Sequence, residues 1–208
     1  MKERRGKIKA VIFDVGNVVL FYDHRIAARK MFKMIDIDVG KILYILEGKN
    51  KRFVDMFDLG SSSKKYWNLA AKIWKIKKIS YKKFDGVWNT MFWLNNAIFP
   101  ILKKLKVRYV VAGISNISFS HKRYILKEYK IKKFLKPLIF SCDVKMRKPE
   151  PRIYKFALKK LKVKPSETIF IDDKIENIVA ANKVGIQGIL FKNNKKLIKD
   201  LRKFGVSI

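Results

Sequence analysis

The chain has 208 residues, enough for one core domain with a modest insertion and too few for two full-sized independent domains. Hydrophobic residues make up 49%, which excludes a disordered chain, and no run approaches the roughly 18 unbroken apolar residues of a membrane span. Lys and Arg number 49 against 17 Asp and Glu, a net charge of +32 that favours anionic company: phosphorylated metabolites, nucleic acid or acidic surfaces.

The lysines are spread from end to end, so composition bias accounts for them better than a dedicated nucleic-acid patch, and zinc-ligand spacings and RNA-recognition signatures are absent. A single cysteine, Cys142, excludes an internal disulfide and fits a reducing, cytoplasmic setting. We expect Cys142 to be a small buried hydrophobe at a strand end. The Arg4-Arg5 pair reads as a frayed basic tail. No sequence feature sets an oligomeric state.

Residues 7–15 (KIKAVIFDV) form a short β-branched run closed by Asp14, a buried strand rather than a signal peptide. From about residue 23 to 99 the pattern is helical throughout, with helices expected at 24–35, 41–48, 64–75 and 81–93. Turn signals separate them at 36–38, 60–63 and 85–86. Trp67, Ala70, Ala71 and Trp74 share one helical face, and with Trp88, Phe92 and Trp93 they read as packing rather than a ligand cage. Strand-like runs return at 108–114, 137–140, 167–171 and 185–191, interleaved with helical patterns at 118–129, 151–161, 174–184 and 194–204. That alternation predicts an α/β fold, a Rossmann-like doubly wound parallel sheet with an inserted helical cap. The core is residues 1–22 and 96–208, and the cap 23–95.

In such a sheet, ligands bind along the edge formed by the carboxyl ends of the strands. Asp14 closes the first strand, Ser115 and Asn116 the second; Lys148 follows the third, and Asp172 with Asp173 closes the fourth. Three close carboxylates would repel one another and rise in pKa unless compensated. A hard divalent cation compensates them, and oxygen-only ligands select magnesium, Mg2+.

The motifs FDVGNVVLFYD, GISNISFSH, RKPEPRIYKFAL and FIDDKIENIVAANKVGI resemble the haloacid dehalogenase-like superfamily over nearly the whole chain. The likeness is closest to its small phosphatases with a helical cap between the first two motifs. The resemblance implies a phosphohydrolase acting on a small phosphorylated substrate through an aspartyl-phosphate on Asp14. It also implies magnesium held by Asp14, the Gly16 carbonyl, Asp172 and Asp173, with Asp173 the more direct ligand. Ser115 and Asn116 would bind phosphoryl oxygens, and Lys148 would neutralise charge on the transferring group. Asn177 would support the acidic pair.

Gly16 departs from the pattern, because most phosphatases of the superfamily carry Asp there as general acid and base, help worth about 10²–10⁴ in rate. Three readings follow. The enzyme favours good leaving groups such as sugar anomeric phosphates; or the cap supplies the missing group, with His24 and Asp23 as candidates and His24 touching substrate; or the chemistry is haloacid dehalogenation. A further alternative, outside enzymology, is a catalytically weak basic binder of nucleic acid or phosphorylated ligands. His121 is read as structural or solvent-exposed in the first instance, Arg147 as touching substrate or adding to the basic surface, and Glu176 as supporting the acidic pair or equally as a solvated helix residue.

Overall fold

The computed structural model describes residues 7–47, 50–76 and 80–208; the Arg4-Arg5 pair, the first six residues of the expected core and the end of the expected helix at Gly48 lie outside them. Five parallel strands form the central sheet in the order β5-β4-β1-β6-β7: β1 (Ala10–Asp14), β4 (Val110–Ser115), β5 (Leu138–Phe140), β6 (Thr168–Asp172) and β7 (Gln187–Leu190). The chain winds outward from β1 through β4 to β5, then crosses back to β6 and β7 on the other side. This reversal makes the end of β1 a topological switch point, where two crossovers diverge and leave a crevice.

Alternation along the strands decides which helices cover which face. Val11 and Phe13 of β1, with Val111, Ile169 and Ile171, face one layer of helices. That layer contains α6 (Ile98–Leu105), α7 (Phe119–Glu128) and α11 (Asn194–Lys203). Ile12, Ala112, Ile114 and Phe170 face the other layer, built from α9 (Pro151–Leu161) and α10 (Ile175–Lys183). Leu135 and, in β5, Leu138 pack on β4 so closely that a Cβ at Gly113 would lie 2.6 Å from Leu138 Cδ2 and would force that side chain to shift.

The stretch between β1 and β4 is largely helical, as expected, with three departures. Its helices are α1 (His24–Ile35), α2 (Val39–Leu46), α3 (Lys51–Asp58), α4 (Ser63–Ile73) and α5 (Tyr81–Asn89). The helix expected over 81–93 stops at Asn89, and Phe92–Leu94 is instead a strand, β3, paired antiparallel with β2 (Leu20–Tyr22). The outgoing and returning chains thus brace each other as a two-stranded ribbon, a pairing invisible to local periodicity because its partners are some seventy residues apart. The turn read at Asp85-Gly86 is also corrected: both residues lie inside α5, where Asp85 accepts a hydrogen bond from Trp67 Nε1 at 3.0 Å. Helix α3 was not anticipated at all.

Trp67, Ala70 and Trp74 are buried in a hydrophobic cluster of the helical segment, as the packing reading expected, while Trp93 is exposed. Cys142 is buried, in the four-residue helix α8 (Ser141–Val144) just past β5 rather than on the strand itself. Among the described residues no helix is long and apolar enough to cross a membrane.

Candidate active site

At the switch point the chain turns sharply out of β1. The Asn17 N–H donates to the Leu20 carbonyl at 2.7 Å, and Asn17 adopts a left-handed backbone conformation (φ 53°) that Asn tolerates. The tight loop leaves the Asp14 side chain at the mouth of the crevice, 7% exposed.

Lys148 Nζ lies 2.7 Å from Asp14 Oδ1 and 2.7 Å from Asp172 Oδ2, with its own side chain nearly inaccessible. Asp14 Oδ1 also accepts the Val15 N–H at 2.6 Å, so Oδ2 is the oxygen left for a ligand. Asp172 is fully engaged: besides Lys148 it accepts from Asn177 Nδ2 and from the Lys174 N–H, both at 2.9 Å to Oδ1. Asp173 is half-buried and holds one partner, Asn17 Nδ2 at 3.1 Å. Oxygens of Asp14, Asp172 and Asp173 lie within 4.8 Å of one another.

The electrostatics follow from burial. Desolvation lifts the Asp14 carboxyl to about 7 against the pull of Lys148, with the Asp172 carboxylate adding to the rise. Asp173 is raised for the same first reason, partly offset by the Asn17 hydrogen bond. Burial works against the Lys148 ammonium, yet Asp14 and Asp172 together hold it charged well above the usual lysine range. One buried cation therefore serves two buried carboxylates, and with Asp173 the cluster is left with surplus negative charge. All-oxygen donors carrying that surplus suit a hard divalent cation such as magnesium.

The structure brings Asp14, Gly16, Ser115, Asn116, Lys148, Asp173 and His24 onto one cleft of about 350 Å³, with Asp172 just behind it. One of them, and Asp23 next to His24, make side-chain contacts within the protein. Asn116 exchanges hydrogen bonds with the Lys148 backbone, Nδ2 to its carbonyl at 2.8 Å and Oδ1 from its N–H at 2.9 Å, so its amide positions the lysine. Asp23 caps α1 and binds Arg25, and its carboxyl is held low by that hydrogen bond. His24 does line the cleft, but burial pulls its imidazole down to about 4.

Several cleft residues escaped the sequence reading. The Tyr22 ring stands where a side chain on residue 16 would go: a Cβ at Gly16 would meet Tyr22 Cε1 at 3.0 Å. Burial, with Asp14 and Asp173 nearby, pushes the Tyr22 hydroxyl up to about 12, so it remains a hydrogen-bond donor. Gly16→Asp is accordingly expected to cost about 1–3 kcal/mol, through crowding of Tyr22 and a fourth carboxylate beside Asp14. Thermal denaturation without divalent cation reads the loss, and an unchanged midpoint would mean that Tyr22 yields freely.

Arg147, expected either to touch substrate or to add to the basic surface, ties α3 to the core. Its guanidinium lies 2.8 Å from Asp55 and 3.4 Å from Asp58, and it also reaches Glu150 at 3.6 Å. Lys145 adds a hydrogen bond to the Leu59 carbonyl. Asp58 lines the cleft, and burial lifts its carboxyl to about 6 in spite of Arg147. The folded pKa lies above the usual 3.8, so this group's contribution to stability is present at low pH and lost as pH rises through about 6. Arg147→Ala should therefore cost about 1–3 kcal/mol at pH 7.5 and less at pH 5, where a protonated Asp58 needs no counter-charge. A penalty that does not shrink on acidification would show that Asp58 is not the group being relieved.

His121 is 1% exposed, walled by Phe57, Trp88 and Phe92, and its Nε2 has no hydrogen-bond partner among the described residues. Glu176 is exposed, as expected of a solvated helix residue.

Known proteins bear on this geometry at three levels. In the rat, Rattus norvegicus, bifunctional epoxide hydrolase 2 is 46% identical over 66 residues, which are 32% of this chain and 12% of that protein. Flavin mononucleotide hydrolase 1 of Arabidopsis thaliana is 35% identical over 79 residues, 38% of this chain and 32% of that protein. Both alignments cover less than a third of the relative's own length. A HAD family enzyme of Bacteroides thetaiotaomicron, solved in complex with magnesium and inorganic phosphate, shares the fold at TM-score 0.78 with 24% identity, covering 91% of this chain and 98% of that one. The haloacid dehalogenase-like hydrolase family matches residues 32–191, a span that takes in Ser115, Lys148 and the Asp172-Asp173 pair and so joins most of the cluster to a single ancestry. This chain belongs to the haloacid dehalogenase-like hydrolases.

Proposed function

We propose that this hydrolase is a magnesium-dependent phosphatase that cleaves a small phosphate monoester through an aspartyl-phosphate on Asp14. The observation that carries the reading is the buried Lys148 ammonium bridging Asp14 and Asp172, with Asp173 beside them at the end of β1. A phosphoryl group carries its charge on equatorial oxygens, and a fixed cation next to the nucleophile meets that charge without reorganising. The magnesium and inorganic phosphate bound by the Bacteroides enzyme, and the flavin mononucleotide hydrolase among the relatives, support it.

In this reading Asp14 Oδ2 attacks phosphorus in line with the departing alcohol. Ser115 holds a phosphoryl oxygen, and Lys148 balances the charge that builds on the transferring group. Water then attacks the acyl phosphate and regenerates Asp14. Asp14, the Gly16 carbonyl and Asp173 would hold magnesium directly and Asp172 through water. When bound, the ion polarises the phosphoryl oxygens and offsets the carboxylate charge. Residues 23–95 act as a cap that closes on the core, 1–22 and 96–208, and the Arg147 pairs with Asp55 and Asp58 hold it down.

Phosphate release from sugar phosphates, nucleotides, acetyl phosphate and p-nitrophenyl phosphate, with and without magnesium, tests the reading. Release that requires both magnesium and Asp14 supports it. Magnesium-independent release of halide from 2-haloacids would put the dehalogenase reading in its place. Folded, magnesium-binding protein that releases neither would return the basic-binder reading.

A further inference from the structure

The cleft runs from Asp14 up between the helices of the cap, and its two ends differ in chemistry. The lower end is the charged cluster already described. The upper end is walled by Leu46, Phe53, Phe57, Tyr66, Trp88 and Phe92. These rings pack edge to face and stacked against one another, with Tyr66 and Trp88 centroids 5.0 Å apart at 29° and Phe57 and Trp88 5.1 Å apart. Such a wall is preformed and offers broad apolar surface.

Several polar atoms along this upper wall are directed at the protein itself, although His121 Nε2 has no partner among the described residues. The Tyr66 hydroxyl points to the Ile45 carbonyl at 3.5 Å, Trp88 Nε1 to His24 Nδ1 at 3.5 Å, and Asp58 to Arg147. Glu47 sits exposed at the rim. Burial holds both His24 and His121 neutral, as it would in surroundings of low polarity. A hexose placed here would bury several hydroxyls with few atoms to receive them, at a cost for each.

We propose that the alcohol part of the substrate is an uncharged, largely hydrocarbon group seated against the cap aromatics, and that the site discriminates against sugar phosphates. The proposal rests on the phosphatase reading for the position of the phosphate, and it replaces the sugar leaving group with one matched to this wall.

Cyclohexylmethyl phosphate and glucose 6-phosphate make the deciding pair. Both are primary alkyl phosphates on a six-membered ring, so their leaving groups are alike and only the ring hydroxyls and ring oxygen differ. Their affinities are measured on Asp14→Asn protein through tryptophan fluorescence, which needs no turnover, and their kcat/KM on the wild type with magnesium. Acetyl phosphate, which has no ring to seat, is the reference for the reaction itself. Cyclohexylmethyl phosphate is expected to be favoured by about 100-fold in both measurements. Val54→Asp, on the half-buried wall of α3, should cut that preference by at least about 10-fold. Equal or better binding of glucose 6-phosphate, or a preference untouched in Val54→Asp, would overturn the proposal. Acetyl phosphate left intact while the binding preference holds would overturn the phosphatase reading alone and uphold the apolar ligand class.

Discussion

Asp14→Asn should lose phosphate release by at least about 10⁴-fold while making the metal-free protein more stable, so activity and stability move in opposite directions. The loss follows because an amide cannot form the acyl phosphate that divides the reaction into two steps. The gain follows from burial. The Asp14 carboxyl is raised from its usual 3.8 to about 7, chiefly because burial disfavours its charged form in spite of Lys148. The Asn oxygen can still accept from Val15 and from Lys148, the two contacts Asp14 Oδ1 makes now. Recovery of part of this burial cost, about 1–2 kcal/mol, should appear as a higher denaturation midpoint at pH 7.5 without magnesium. The gain should shrink as pH falls from 7 and vanish only below the unfolded value of 3.8, where the group is protonated in both states. Retained activity would remove Asp14 as the nucleophile, and a lower midpoint would show that the carboxylate is adequately compensated as it stands.

Lys148→Met keeps the length of the side chain and removes its charge, and it should cost about 3–5 kcal/mol. Its ammonium is the partner that Asp14 and Asp172 share at 2.7 Å each, and both carboxylates are buried. Without it two negative charges face each other in a dry crevice. Each then protonates more readily, so the penalty should ease as pH falls from 7.5 to 5, and magnesium should restore part of the stability. Urea denaturation of the two proteins at both pH values reads this directly. A variant within 1 kcal/mol of wild type at pH 7.5 would show that water or backbone donors already carry the compensation attributed to the lysine. Activity should also fall, but the stability effect separates a buried counter-ion from a group that only touches substrate.

The two effects locate what could and could not be read from the chain. Every strand of the central sheet was anticipated, because a strand buried on both faces writes itself as a continuous β-branched run such as AVIFD or TIFID. The acids, the hydroxyl and the lysine were legible for a related reason: parallel topology brings strand carboxyl ends to one edge wherever the residues lie in sequence. Asn177 was placed correctly since it stands five residues beyond Asp172 on the next helix, a local relation.

Errors fell where a residue's role depends on a distant partner. Phe92–Leu94 carries a helix-like pattern but is a strand, because Leu20–Tyr22 lies beside it. Asp85-Gly86 has turn chemistry, yet Trp67 recruits the aspartate into α5. The Asn116 amide is tied to the Lys148 backbone, 32 residues away, a contact that local pattern does not show. Arg147 offered either a substrate contact or basic surface, and its partners are Asp55 and Asp58 of α3, about ninety residues earlier in the chain.

By itself, then, the sequence determined the doubly wound core, the helical insertion and the set of groups gathered at the strand ends, since hydrophobic period and chain order suffice for these. Tertiary structure alone decided which of those groups are satisfied by the protein and which face the cleft, how the cap is tied down and what lines its interior. Those properties depend on burial and on contacts between residues far apart in the chain, and local pattern carries no information about either.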